Sequence, residues 1–150
     1  MKKREAAFQV RFGKWVVSPE ARAFVGRSSF AFELKRVEAG RAMAWTAVAE
    51  HQVEALRRAR GTSEYGRVLY HKISDMGAGF KPCDGFVIGG GGGWLFVEWD
   101  GGEGFYMVDV EEWVDMAAAA RAGRGRRGGF TEALARERGT WIPWKQPSPV

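Results

Sequence analysis

Glu33-Leu34-Lys35 carries the plainest chemical potential in this chain. Residues two apart on an extended strand point to the same face, so the Glu33 carboxylate and the Lys35 ammonium would stand side by side. A carboxylate that can hold a divalent cation, beside a lysine that can orient a water or steady a phosphate, is the minimum for metal-assisted phosphodiester cleavage. The same residues also make an ordinary surface charge pair, because Glu-Leu-Lys is a common tripeptide. The surroundings must decide between the two. Phe30-Ala31-Phe32 runs into the pair, which predicts a strand over 29–36, and a helical segment bearing His51-Gln52 follows.

That helical segment holds the most useful oddity. Val48, Gln52 and Leu56 recur at i, i+4 and i+8, which puts Gln52 on the apolar stripe. His51 lies beside it, in line with Ala47 and Ala55. A buried amide needs partners, so a glutamine facing a sheet should be bonded to something there. Either Gln52, with His51, lines the site around Glu33 and Lys35, or Gln52 sits at the rim of the helix and His51 faces water.

The elements that must position these groups follow from periodicity and breakers. Residues 3–16 predict an amphipathic helix with Ala7, Val10, Phe12 and Trp15 available for burial, ended by Ser18-Pro19. A loop rich in Arg and Ser leads to the strand. After Gly40, Thr46 is the expected N-cap of a helix running to about Arg60, which Gly61 stops. Residues 67–73 alternate as a half-buried strand. Phe86-Val87-Ile88 and Trp94 to Trp99 predict a hairpin joined through Gly89 to Gly93, and Gly101-Gly102 turns into Phe105-Tyr106-Met107-Val108. A helix over 110–121, a basic loop, a short helix near 131–138 and a Trp/Pro tail complete the chain. The order predicts a single mixed α/β domain without internal repeats.

Bulk properties bound the function. A chain of 150 residues is large enough for one cored domain, and 45% apolar with 13% aromatic residues exclude a disordered chain. The net charge of +5 and a pI near 9.7 favour an anionic partner, nucleic acid before membrane surface. Cys83 is the one cysteine, so there is no internal disulfide and no thiolate zinc cluster. The basic start, Met1 to Glu5, is followed by no long apolar run, and neither a signal peptide nor a membrane span is expected. A reducing cytoplasm is the expected compartment.

Three basic clusters fit a polyanion: Lys2, Lys3 and Arg4; Arg57, Arg58 and Arg60; and Arg121, Arg124, Arg126 and Arg127. The last, with glycines between arginines, suits an arm that orders on a DNA backbone. No base-reading signature accompanies them, which predicts binding led by backbone or by DNA structure. Gly89 to Gly93 could be read as a phosphate loop, but no Lys-Ser/Thr and no helix follow, so a hairpin turn is the better reading. His71 near Asp75 could be read as a metal pair, yet two histidines in the chain make a zinc site improbable.

Glu33-Leu34-Lys35, an intervening loop, and His51-Gln52-Val53-Glu54-Ala55-Leu56 together resemble the PD-(D/E)XK nucleases, in particular the bacterial and phage Holliday-junction resolvases. In these an acid-x-lysine strand is followed by a helix beginning with His-Gln. His71-Lys72-Ile73-Ser74-Asp75, then Lys81-Pro82-Cys83-Asp84-Gly85-Phe86, is similar to small phage-borne members. So is Phe105-Tyr106-Met107-Val108-Asp109-Val110-Glu111-Glu112-Trp113, a strand followed by an acidic helix. The resemblance spans residues 3–116 in order.

The resemblance implies a restriction-endonuclease-like α/β fold, with a central mixed sheet flanked by helices. It implies a nuclease core over 1–120, with 121–150 packed on it or extending from it. It also implies Mg²⁺, with Mn²⁺ as a substitute, and a homodimer that cuts branched DNA in recombination and repair. Glu33 would be a metal ligand, Lys35 would position the attacking water or stabilise developing charge, and Gln52 would support the site. Family members add a glutamate on the first helix, a place Glu5 could fill, and an acid upstream of the strand. For that acid the chain offers Glu20, where an Asp is usual; Glu20 reads equally well as a solvated cap of the turn after Pro19. Asp84, at the entry to an apolar strand, is the rival. A second register, Asp84 followed by Glu98-Trp99-Asp100, has Asp in the lysine place and ranks below the first. Other functions stay open: an inactive DNA binder on the same fold, or a nuclease of duplex ends or flaps.

Overall fold

In the computed structural model, residues 3–25, 30–64, 68–72, 85–89, 91–124 and 128–145 are described. In chain order they form α1 (Lys3–Val16), a 3₁₀ turn (Pro19–Ala21), α2 (Arg22–Val25), β1 (Ala31–Val37), a second 3₁₀ turn (Trp45–Ala47) and α3 (Glu50–Arg60). There follow β2 (Val68–Lys72), β3 (Gly85–Gly89), β4 (Gly93–Trp99), β5 (Gly104–Asp109), α4 (Val110–Arg121), α5 (Glu132–Arg138) and β6 (Thr140–Pro143). The protein is a mixed α/β structure. Among the described residues, no helix is long and apolar enough to cross a membrane.

Four strands form a mixed sheet in the order β1-β4-β5-β6. β1 runs parallel to β4, in a register that sets Glu33 beside Leu95 and Lys35 beside Val97. β5 is antiparallel to both β4 and β6. β2 and β3 pair antiparallel in a separate two-stranded sheet.

Alternation along the strands loads both faces with apolar side chains, so each face needs a helical layer. Leu95, Val97, Trp99, Tyr106 and Val108 share one core with Leu56 and Ala59 of α3 and with Trp113 and Met116 of α4. Phe96, Phe105 and Ile142 point the other way, into a core with Phe8, Phe12 and Trp15 of α1. That second core is almost wholly aromatic on the helix side. Phe12 lies 4.7 Å from Phe96 between ring centroids, and Trp15 meets Phe105 edge-on at 5.0 Å. Ala31 and Val37 of β1 belong to the α3-side core, so Glu33 and Lys35, in step with them, face α3.

The chain departs from its sequence expectations in three places. Residues 86–99 do not form a hairpin: β3 pairs with β2, while β4 has β1 on one edge and β5 on the other. A strand has two edges, and both edges of β4 are taken. Thr46 does not cap a long helix. It lies in a 3₁₀ turn, Val48 returns to extended backbone (φ −103°, ψ 112°) to bury its side chain, and α3 begins only at Glu50. The Trp/Pro tail contributes β6, whose Ile142 is fully buried, as are Phe130 and Ala135 ahead of it.

α3 lies hard against β4 at Gly93, where a Cβ would collide with the Leu56 carbonyl of the helix. Gly93→Ala should cost about 1–3 kcal/mol by forcing α3 off the sheet. Gly13, in α1, has open space where its Cβ would go, and Gly13→Ala should stabilise by roughly 0.5–1 kcal/mol. Urea denaturation of the two variants should therefore move the midpoint in opposite directions.

Candidate functional site

β1 brings Glu33 and Lys35 onto one face, with the Lys35 Nζ 3.3 Å from Glu33 Oε1. Both side chains are partly buried, Lys35 at 20% exposure and Glu33 at 28%. The first turn of α3 delivers Gln52 to the same carboxylate. Its Nε2 donates to Glu33 Oε1 at 2.9 Å, and its Oε1 accepts from the Ala49 backbone N–H at 3.0 Å. The Ala49 N–H can only donate, so it fixes which way the amide points: oxygen toward the helix end, NH₂ toward Glu33. Gln52 thus caps its own helix and holds a sheet carboxylate with one side chain. His51, one residue earlier, is exposed.

Of the other acids nominated for the Glu33 site, the structure describes the side chain of Glu20 alone, and it does not bring Glu20 to Glu33. Glu20 sits exposed in the first 3₁₀ turn, and that turn packs with α1 and α2, placing Ala21 and Val25 in the aromatic core. It lines a cavity with Arg11, Lys14 and Trp144, on the face of the sheet opposite Glu33. Asp84 lies outside the described residues, and so does the Glu5 side chain, although its backbone belongs to α1. The Asp84/Glu98/Asp100 register fails at its described members. Glu98 is 3% exposed and both its oxygens accept from Arg11 Nη2, at 2.7 Å for Oε2. Asp100 accepts from Arg36 Nε. Among the described residues, no three His, Cys, Asp or Glu side chains stand close enough to hold a metal ion. Glu33 alone offers one carboxylate, flanked by an ammonium and an amide NH₂. That donor set does not by itself fit a divalent cation, which draws on several oxygens.

The basic residues of α3 are engaged by acids. Arg57 Nε donates to Glu111 Oε1 at 2.8 Å, Arg58 Nε lies 3.4 Å from Glu54 Oε1, and Arg60 Nε lies 3.0 Å from Asp109 Oδ2. The expected contact of Arg57 and Arg58 with DNA therefore competes with intramolecular ion pairs. Arg121 and Arg124 are exposed at the end of α4, and Arg121 also lines a groove between α3 and α4. Lys2, Arg126 and Arg127, with the side chains of Lys3 and Arg4, lie outside the described residues, as do the His71 side chain and Asp75. The Gly89–Gly93 segment enters β4 directly and opens no helix.

Sequence reasoning missed the clasp between α3 and α4. Asp109 caps α4, accepting from the Glu111 N–H at 2.9 Å, and Glu111 accepts from both Arg57 and the Thr62 hydroxyl, the latter at 2.5 Å. Burial alone would raise the Glu111 carboxyl. The hydrogen bonds from Thr62 and Arg57, with the charges of Arg57 and Arg60, outweigh it and hold the group below the usual glutamate range. The sequence shows an acidic start to the 110–121 helix, but its partners are 54 and 49 residues away and no local spacing points to them.

Against this geometry, no family model, curated protein or solved structure matches the chain.

Two outcomes are expected. Gln52→Ala removes the cap and should destabilise by about 1 kcal/mol in denaturant titration. The depressed Glu111 carboxyl stabilises the fold above its unfolded-state value, and that contribution is lost as pH falls through the lower folded-state value. Stability of Glu111→Gln should therefore be lower than wild type at neutral pH, and the gap should close in acid. A gap that stays constant from neutral pH into acid would contradict the linkage.

Proposed function

We propose that this protein is a DNA endonuclease of the PD-(D/E)XK type, acting on branched DNA such as a four-way junction. One observation carries the reading: the acid-x-lysine pair of β1 and the glutamine of the His-Gln helix, 19 residues apart, meet on a single carboxylate oxygen. A charge pair of no consequence would not need a capping glutamine turned toward it. The mixed sheet with helices on both faces is compatible with such a fold.

The residues have separable parts. The Lys35 ammonium, anchored by Glu33 yet still open to solvent, is placed to meet a phosphate oxygen and to steady charge that develops there. Gln52 fixes the Glu33 rotamer, so the lysine has a stationary counter-ion. The expected Mg²⁺ would supply the nucleophilic water, and it would need at least one acid beyond Glu33; Asp84 is the candidate that the chain order offers. Paired cuts in a symmetric junction call for two sites, hence a homodimer, in a cytoplasmic setting.

A second reading is favoured by the Glu33 carboxylate having no second acid beside it among the described residues: a protein that binds branched DNA and does not cleave it. One experiment separates the two. A labelled four-way junction is incubated with the protein in Mg²⁺ and in Mn²⁺, alongside linear duplex of the same sequence and the Lys35→Ala variant. Paired nicks on the junction alone, slowed about 10²-fold or more in Lys35→Ala, are expected. Tight junction binding with no cleavage in either metal would sink the nuclease reading and leave the binder.

A further inference from the structure

β1 ends the four-stranded sheet. β4 fills one of its edges, and among the described residues no strand fills the other. Which backbone groups face that second edge follows from the bonds already made. The Ala31 N–H donates to the Gly92 carbonyl at 3.0 Å, and the Val37 carbonyl accepts from the Asp100 N–H at 2.9 Å, both toward β4. Backbone groups of successive strand residues point to alternate edges, so Glu33 and Lys35 turn theirs toward β4 as well. Phe32, Leu34 and Arg36 turn theirs outward. The edge can be reached from the α1 side: a groove of about 380 Å³ runs between α1 and β1, lined in part by Gln9, Gly13, Val16, Phe32 and Leu34. Phe32 is 44% exposed there.

We infer that this edge pairs with the same edge of a second copy, β1 against β1, about a twofold axis at Leu34. A twofold relation makes the two strands antiparallel. Outward backbone groups must meet outward groups, so the axis passes through a residue and not between two. Charge then chooses the residue. An axis at Glu33 sets two carboxylates opposite one another, and an axis at Lys35 sets two ammonium groups opposite one another. Like charges directly opposite destabilise a ladder. With the axis at Leu34, Glu33 lies opposite Lys35 of the second copy, Lys35 lies opposite its Glu33, and Phe32 meets the stem of its Arg36. Leu34 faces its own copy and exchanges two hydrogen bonds with it. Charged edge strands ordinarily resist pairing. This one resists the two neighbouring registers and favours the one between them.

As the interface of a nuclease homodimer the inference rests on the reading proposed above; as a pairing of strands it rests on geometry and charge alone. The pairing also changes the candidate site. It brings both Glu33 and Lys35 pairs onto one continuous face, where each carboxylate gains a second ammonium opposite it. The two Glu33 residues become diagonal neighbours, about 7–8 Å apart between Cα atoms, which puts a second acid near each.

Analytical ultracentrifugation of the full chain tests the pairing, with Glu33→Lys and Lys35→Glu as variants. Wild type is expected to sediment as a dimer. Each variant alone sets like charges opposite one another at both charged pairs, and its dimer should weaken at least about tenfold. An equimolar mixture of the two variants sets opposite charges together again and should recover the dimer. Mixing would not rescue a misfolded chain, and circular dichroism with thermal melts checks each fold. In a Cys83→Ser background, Glu33→Cys mixed with Lys35→Cys should form a disulfide, because a pair without hydrogen bonds lies about 4.5 Å apart between Cα atoms. Neither should oxidise alone, since the diagonal is about 7–8 Å. A monomeric wild type, a dimer indifferent to both charge variants, or the absence of a disulfide specific to the mixture would overturn the pairing. Junction cleavage is assayed on the same samples. A charge-dependent dimer that makes no nicks keeps the interface and removes the nuclease, while nicks from a monomer do the reverse.

Discussion

The structure depends on the position of β4. It is paired along both edges, parallel to β1 and antiparallel to β5, and it is buried on both faces. A strand so placed admits no neighbour beyond those two and no solvent on either side, so the remaining elements become layers upon it. The parallel pairing has a further consequence. Parallel neighbours cannot be joined by a tight turn and need a long crossover, which here contains α3. The crossover must lie over the sheet face it bridges. α3 is thereby pressed across β1 and β4, close enough at Gly93 that no side chain fits, and its first turn arrives above Glu33. The meeting of Gln52 with the acid-x-lysine pair is a result of topology, and the capping bond to Ala49 makes it rigid.

The two faces of the sheet are held by different physics. On the α3 side, aliphatic strand residues together with Trp99 and Tyr106 meet α3 and α4, and the helices are tied to each other by ion pairs at their ends. On the α1 side, an aromatic cluster does the packing, and one ion pair, Arg11 with Glu98, crosses from helix to strand. Glu98 occupies a strand position whose neighbours Phe96 and Trp94 belong to that cluster, so its charge is costly unless answered. Arg11 answers it with both carboxylate oxygens engaged and an indole beneath. A pair of this kind adds little net stability over an apolar substitute, but breaking one half is expensive. Its effect is to fix the register of α1 along the sheet and so to shape the cavity beside it.

Much of this was legible in the sequence, and the failures share a cause. The helices over 3–16 and 110–121 and the strand carrying Glu33 follow from periodicity, which is local; periodicity set Gln52 on the apolar stripe but left its partner open. Two errors concern pairing. Gly89 to Gly93 looks like a hairpin loop because short glycine connections usually are. Only the competition for the edges of β4 removes that option, and the competitors lie far off in sequence. Likewise, the arginines of α3 read as a basic patch until α4 sets Asp109 and Glu111 against them. The four residues of β6 are too few and too rich in Trp and Pro to announce a strand; pairing with β5 makes them one. For the candidate site, spacing pairs Glu33 with Lys35 and leaves open whether Gln52 reaches them, which only the packing of α3 on β1 decides, while the misplacement of Glu20 reflects a turn that Pro19 folds back onto α1.

The distribution of charge changes what the net value of +5 means. A basic chain suggests broad attraction to polyanions, but Arg11, Arg36, Arg57, Arg58 and Arg60 each face a carboxylate. Charge that is spent holding elements together contributes weakly to a phosphate contact, since engaging DNA would first require breaking an ion pair. Among the described residues, several cationic groups stay open to an anion. Lys35 is anchored beside the end of α3, Lys14 lies at the edge of the aromatic cavity, and Arg121 and Arg124 stand at the end of α4. An ion-paired arginine thus holds the fold together first, and its charge reaches a partner only at the cost of that pair.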